Sequence, residues 1–133
     1  MKTLEKIAVG VFKDKKVLLV MTSSQEKKFY TLGGKVEEGE SDMDCINREV
    51  MEEISSRVDE SSVKYLTEVT GPAHGKDDTL VHIKFYAASL LDEPKPSSEI
   101  VEIKYFDSSI SEDQETETGK MIMTYLKENG LVN

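Results

Sequence analysis

The chain of 133 residues has one cysteine and three prolines, and it lacks any apolar run of about 18 residues. A lone thiol, Cys45, cannot close an internal disulfide, so a reducing, cytoplasmic setting is expected. Without a long apolar run, no segment reads as a membrane-spanning helix. The opening segment MKTLEKIAVGVF has neither an extended apolar core nor a small-residue cleavage site, and does not read as a secretory signal. Internal repeats and low-complexity tracts are missing, and the prolines of DEPKPSS (92–98) mark a loop, not a linker. Positive charge is scarce: 17 Lys and Arg face 26 Asp and Glu, a net charge of −9. Such a balance argues against a nucleic-acid polymer as partner, because that requires a basic footprint.

What remains is the composition of a globular protein: 38% hydrophobic and 32% charged residues, with a mean hydropathy of −0.43. The length predicts a single domain over 1–133 with a core of its own. Its acidity is concentrated. Residues 35–53 hold eight acids against two bases, so −6 of the −9 lies in this one segment. A small phosphorylated ligand is compatible with that charge if metal ions bridge it to the carboxylates.

Alternation of Ile7, Val9 and Val11 predicts a strand over Lys6–Phe12. Asp14–Lys16 turns the chain, and the continuous apolar run Val17–Met21 predicts a strand buried on both faces. Lys28–Leu32 leads into Gly33-Gly34. A helix follows over 41–54, with Ser41 as N-cap and Asp42 and Asp44 at the positive end of its dipole. Further strands are predicted at Val63–Thr70, Leu80–Ala88 and Ile100–Phe106, with the turn-rich GPAHGKDD (71–78) between the first two. Ile122, Tyr125 and Leu126 set a helical spacing near the end, closed by Gly130. Strands interleaved with a central and a terminal helix predict a layered α/β architecture.

On the 41–54 helix, Glu49, Glu52 and Glu53 fall within an arc of about 100°. Met43, Ile46, Val50 and Ile54 form a separate apolar stripe. Like charges at this spacing cost a few tenths of a kcal/mol each, so the cluster calls for compensation. A hard divalent cation such as Mg²⁺ or Mn²⁺ takes oxygen ligands and shares them with phosphates. The plain alternative is a solvated acidic face. Gly34, Glu40 and Arg48 at fixed offsets weigh toward the cation.

The spacing Gly34, Glu40, Arg48, Glu49, Val50, Glu52, Glu53 resembles the signature of the Nudix hydrolases, all seven positions being in register. Ser55 stands where that signature has glycine, Ser56 where it has an aliphatic residue, and Leu32 where a proline often precedes the paired glycines. The resemblance implies the Nudix fold, a mixed β-sheet sandwiched between helices. It implies a metal-dependent pyrophosphohydrolase that cleaves a nucleoside diphosphate linked to another group, such as an oxidised nucleoside triphosphate, a dinucleotide or a nucleotide sugar. Mg²⁺ or Mn²⁺ would be held by Glu49, Glu52, Glu53 and the Gly34 carbonyl. Arg48 would fix one of these carboxylates, and Glu52 or Glu53 would activate water. Gly33 and Glu40 would support the site. A further acid from downstream would be Glu99, which opens the last strand, with Glu93 and Glu102 as alternatives. A homodimer is also implied.

A competing reading is a catalytically inactive Nudix domain that binds a nucleotide or a protein partner, for which Ser55 and Ser56 are the support. A calcium-binding structural domain fails on spacing, because the D-x-[DN]-x-[DN]-G pattern is missing. Specificity is expected in the loops Ser23–Lys28 and Gly71–Asp78. His74 either contacts substrate from its loop or is an exposed turn residue, His82 reads as structural, and Cys45 as no nucleophile for want of a histidine signature. Phe29 and Tyr30 either stack on a base or pack in the core, while Met121 and Met123 read as helix packing.

Overall fold

The apolar run 17–21 lies within a strand whose residues Val17–Met21 are all buried, and the computed structural model, which describes residues 1–133, shows the cause. Val17, Leu19 and Met21 enter one core, whereas Leu18 and Val20 enter another on the opposite face. The strands are β1 (Lys2–Gly10), β2 (Phe12–Lys13), β3 (Lys16–Thr22), β4 (Phe29–Lys35), β5 (Val58–Pro72), β6 (Thr79–Leu90) and β7 (Ile100–Phe106). Helix α1 (Asp42–Ile54) follows β4, and α2 (Glu117–Glu128) closes the chain after a 3₁₀ turn at Glu112–Gln114. Strand order is β2-β3-β4-β1-β6-β5, with β7 paired to β3. The β1–β6 pair is parallel; the neighbouring pairs are antiparallel.

The two helices cover opposite faces of this mixed sheet. Cys45, Ile46, Val50 and Ile54 of α1 pack with Ile7, Val9, Leu18, Val20 and Leu32. Ile122, Met123 and Leu126 of α2 pack with Leu4, Ala8, Leu19, Ile83 and Phe85. Each fully buried aliphatic side chain contributes about 1.5–3 kcal/mol. No helix is long and apolar enough to cross a membrane.

Several boundaries differ from the sequence reading, each for a non-local reason. Strand β1 begins at Lys2 because its first residues pair with Thr79–Val81 of β6. Strand β4 runs through both glycines to Lys35, held by Ile7↔Gly34 and Ala8↔Gly33. Strand β5 starts at Val58, opposite Leu90, and tolerates two register shifts. The apolar stripe of α1 is completed by Cys45, fully buried, while Met43 stays only half-buried. Met123 is buried as expected, but Met121 is 40% exposed and does not belong to the core.

Ser41 caps α1 in a full capping box: its side chain accepts from Asp44 N–H, and Asp44 returns the contact to Ser41 N–H. At the other end Ser55 takes the left-handed conformation, φ 53 and ψ 40. The sequence thus stops the helix where a glycine would have done so at lower cost. Helix α2 ends with Gly130 N–H donating to Lys127 O and Leu131 N–H to Leu126 O, a Schellman arrangement around Gly130 at φ 71.

Candidate active site

The glycine pair brings the backbone of β4 against α1. Gly33 has φ 136, and a Cβ there would lie 2.1 Å from Ile7 O, so no side chain fits. A Cβ on Gly34 would lie 2.6–2.7 Å from the Glu49 carboxylate. That carboxyl group therefore occupies the space a side chain would fill. Next to it Glu53 Oε1 accepts from Gly33 N–H at 2.9 Å.

Arg48 links the acids of this corner. Its Nε and Nη2 fork onto Glu40 at 2.6 and 2.9 Å, and Nη1 reaches Glu49 at 2.6 Å and Glu52 at 3.5 Å. Nη2 also donates to Lys35 O at 3.0 Å, which ties the guanidinium to the end of β4. The Arg48 hydrogen bonds, aided by Glu37 N–H, pull the Glu40 carboxyl down to about 2. Glu40 is thus a permanent anion that braces the loop before α1.

Burial dominates the other two acids. It raises Glu49 despite the contact with Arg48. Glu53 rises further, to about 7, because burial and the charges of Glu49, Glu99 and Glu52 outweigh the Gly33 hydrogen bond. Glu52 is more open, its side chain 53% exposed. Glu99 follows a loop tied to α1, and its charge is felt at Glu53. Lys95 N–H donates to Ile54 O at 2.9 Å and Ser97 N–H to Glu53 O at 3.0 Å, so 95–97 are fastened to the end of α1. Glu93, Glu99 and Glu102 are all exposed; Glu93 acts on Tyr105, and Glu102 lies in β7 opposite Met21.

No three His, Cys, Asp or Glu side chains are gathered around one point. Glu49 is turned to Arg48 and Glu53 to Gly33 N–H. The donor set nonetheless suits a hard divalent cation. It is all oxygen, its buried carboxylates repel one another, and the missing Cβ of Gly34 leaves its backbone beside Glu49.

Glu53, Gly33 and Gly34 border a cavity of about 370 Å³. Its walls include Lys6, Tyr30, His74, Lys76, Thr116 and Thr118. Tyr30 and His74 meet edge to face at 6.3 Å, and His74 is held by Glu26 at 2.8 Å. Phe29, by contrast, is buried against Phe106 at 4.7 Å. His74 is therefore a cavity residue, whereas His82 is bound between Glu5 and Glu68 on the strand surface. Cys45 is raised to about 11, by burial first and by Glu40 next, and is no nucleophile. Lys6, Lys76, Thr116 and Thr118 escaped the sequence reading. The sequence predicts a specificity loop at 71–78, but nothing in it joins Lys76 to Lys6.

A helix bearing clustered glutamates thus packs behind the glycine pair of β4 and borders the cavity through Glu53. A NUDIX domain model matches residues 3–122, so the chain belongs to the Nudix family, hydrolases acting on phosphoanhydride bonds. The family generally uses divalent cations. The fold is shared with a MutT NUDIX hydrolase from Burkholderia pseudomallei at a TM-score of 0.80 and 15% identity, covering 95% of this chain and 99% of that one. A NUDIX hydrolase from Nitrosomonas europaea aligns at a TM-score of 0.80 and 17% identity, over 97% and 91% of the two chains. The E. coli dihydroneopterin triphosphate pyrophosphohydrolase aligns at 0.71 and 17% identity, over 97% and 99%. No curated protein matches the chain at a significant level.

Proposed function

We propose that this chain hydrolyses the phosphoanhydride bond of a nucleoside diphosphate linked to another group, with Mg²⁺ or Mn²⁺ as its cation. The observation that carries the reading is the opening of the Glu53 and Gly34 corner into a cavity lined by Lys6, Lys76 and Tyr30. Glu49, Glu52, Glu53 and the Gly34 carbonyl would hold the cation, with Glu99 as the downstream acid. When bound, the cation neutralises phosphoryl oxygens and lowers the pKa of a coordinated water.

The chain's own residues do the rest. Arg48 locks Glu40 and orients Glu49 and Glu52, which fixes the acidic face before substrate arrives. Of Glu52 and Glu53, only Glu53 borders the cavity. In the metal-free protein burial, with the charges of Glu49, Glu99 and Glu52, pushes its carboxyl up to about 7. Tyr30 and His74, set edge to face at the cavity, offer aromatic surface to a base.

The test is release of phosphate or pyrophosphate across a panel of nucleoside triphosphates, dinucleotides and nucleotide sugars. Wild type and Glu53→Gln are compared in Mg²⁺ and in EDTA. Metal-dependent turnover lost in the variant, with folding kept, is the expected outcome. Undiminished turnover in Glu53→Gln would overturn the assignment.

A further inference from the structure

Lys6 and Lys76 are not engaged by the carboxylate chemistry above. Lys6 lies in mid-β1, beside Ile7, whose partner in β4 is Gly34. Lys76 lies in the loop between β5 and β6. Both line the cavity that Glu53 borders. Although 70 residues separate them, the ammonium groups feel each other: after burial, Lys76 is the largest influence lowering the Lys6 pKa, while Glu49 and Glu53 raise it. The ion pairs of the structure use Arg48, Arg57, Lys84, Lys120 and both histidines, never Lys6 or Lys76. Two cations that share a concave, half-apolar space without a partner attract an anion of matching charge.

We propose that Lys6 and Lys76 form a seat for the terminal phosphate of a nucleoside triphosphate, and so select triphosphates over nucleotide sugars. This rests on the hydrolase reading and narrows its substrate. A terminal phosphate carries about −1.5 to −2 near neutral pH and offers three acceptor oxygens. The diphosphate bridge of a nucleotide sugar has no such group, each phosphorus keeping a single ionised oxygen. Cations at the acidic helix would neutralise only the phosphates they touch. A lysine pair on the cavity side supplies positive charge for the rest, and its two point charges accept a rotating phosphate without demanding a fork.

The test is calorimetric binding, in Mg²⁺, of two nucleotide analogues whose bridging oxygens are methylene groups, one a nucleoside triphosphate and one a sugar-capped diphosphate. Wild type should bind the triphosphate at least about tenfold tighter, as charge-assisted contacts allow. Lys6→Met and Lys76→Met should each lose about tenfold for the triphosphate and leave the diphosphate within about threefold. Lys6→Arg, which keeps the charge, should retain most of the preference. Equal affinities in wild type, or a preference unchanged in both Met variants, would overturn the seat. Lys76→Met alters an exposed loop, so it remains informative if Lys6→Met fails to fold. Turnover judges the hydrolase reading separately. A wild type that hydrolyses nothing, yet shows a preference the Met variants lose, would sink that reading and keep the lysine seat.

Discussion

Replacing Glu53 by glutamine should stabilise the metal-free protein, and the structure sets the size of the effect. In the native state Glu53 keeps its proton up to about pH 7, whereas an exposed glutamate releases it near 4.5. Between those values the folded protein binds more protons than the unfolded chain, so its unfolding free energy falls as pH rises. The gap corresponds to about 3 kcal/mol, at roughly 1.36 kcal/mol per pH unit. Glutamine carries no charge and its carbonyl can still accept from Gly33 N–H, so the variant escapes this loss. In EDTA at pH 8, Glu53→Gln should be more stable by about 3 kcal/mol, or about 10 °C in Tm for a chain of this length. Toward pH 4.5 the two proteins should converge. Circular dichroism is the suitable probe, because the chain has no tryptophan. Saturating Mg²⁺ should then reverse the order, since only wild type keeps the full ligand set and gains binding free energy. A variant that is no more stable than wild type at pH 8 in EDTA, or a difference that ignores pH, would refute the reasoning.

Three further outcomes are expected. Ser55→Gly should raise the urea midpoint by the equivalent of about 0.5–1 kcal/mol with turnover unchanged, because it relieves the left-handed backbone at φ 53. Gly33→Ala should lose at least about 3 kcal/mol or fail to fold, since its methyl would meet Ile7 O at 2.1 Å; thermal unfolding of the expressed variant decides it. Arg48→Lys should lower metal affinity or kcat about 10- to 100-fold while retaining the fold, because a single ammonium cannot fork onto Glu40 and also reach Glu49. Titration of Mn²⁺ by electron paramagnetic resonance would register that change without needing a substrate.

Local signals carried much of this fold into view. The residues 17–21 had to be a doubly buried strand because every side chain is apolar, and β7 has the bounds its pattern predicts. The capping pair Ser41 and Asp44 marks the start of α1 just as plainly. What stayed hidden is non-local. The early start of β1 depends on β6, which lies far along the chain. The burial of Cys45 in place of Met43 depends on how α1 is rotated against the sheet. In the candidate site, spacing groups Glu49, Glu52 and Glu53 on one helix, but not their separate engagements with Arg48 and Gly33, which follow from the path of β4. The lysine pair was invisible because nothing in a linear sequence relates residue 6 to residue 76.

The fastening of residues 95–97 to the last turn of α1 has a dynamic consequence. Lys95 and Ser97 donate to the carbonyls of Ile54 and Glu53, so the helix end and the segment leading to Glu99 form one mechanical unit. Their two amide protons can exchange with solvent only when that unit opens. Hydrogen exchange at Lys95 and Ser97 would thus read out the rigidity of the acidic corner directly, slowing when an occupant draws Glu53 and Glu99 together and quickening when their charges push the loop away.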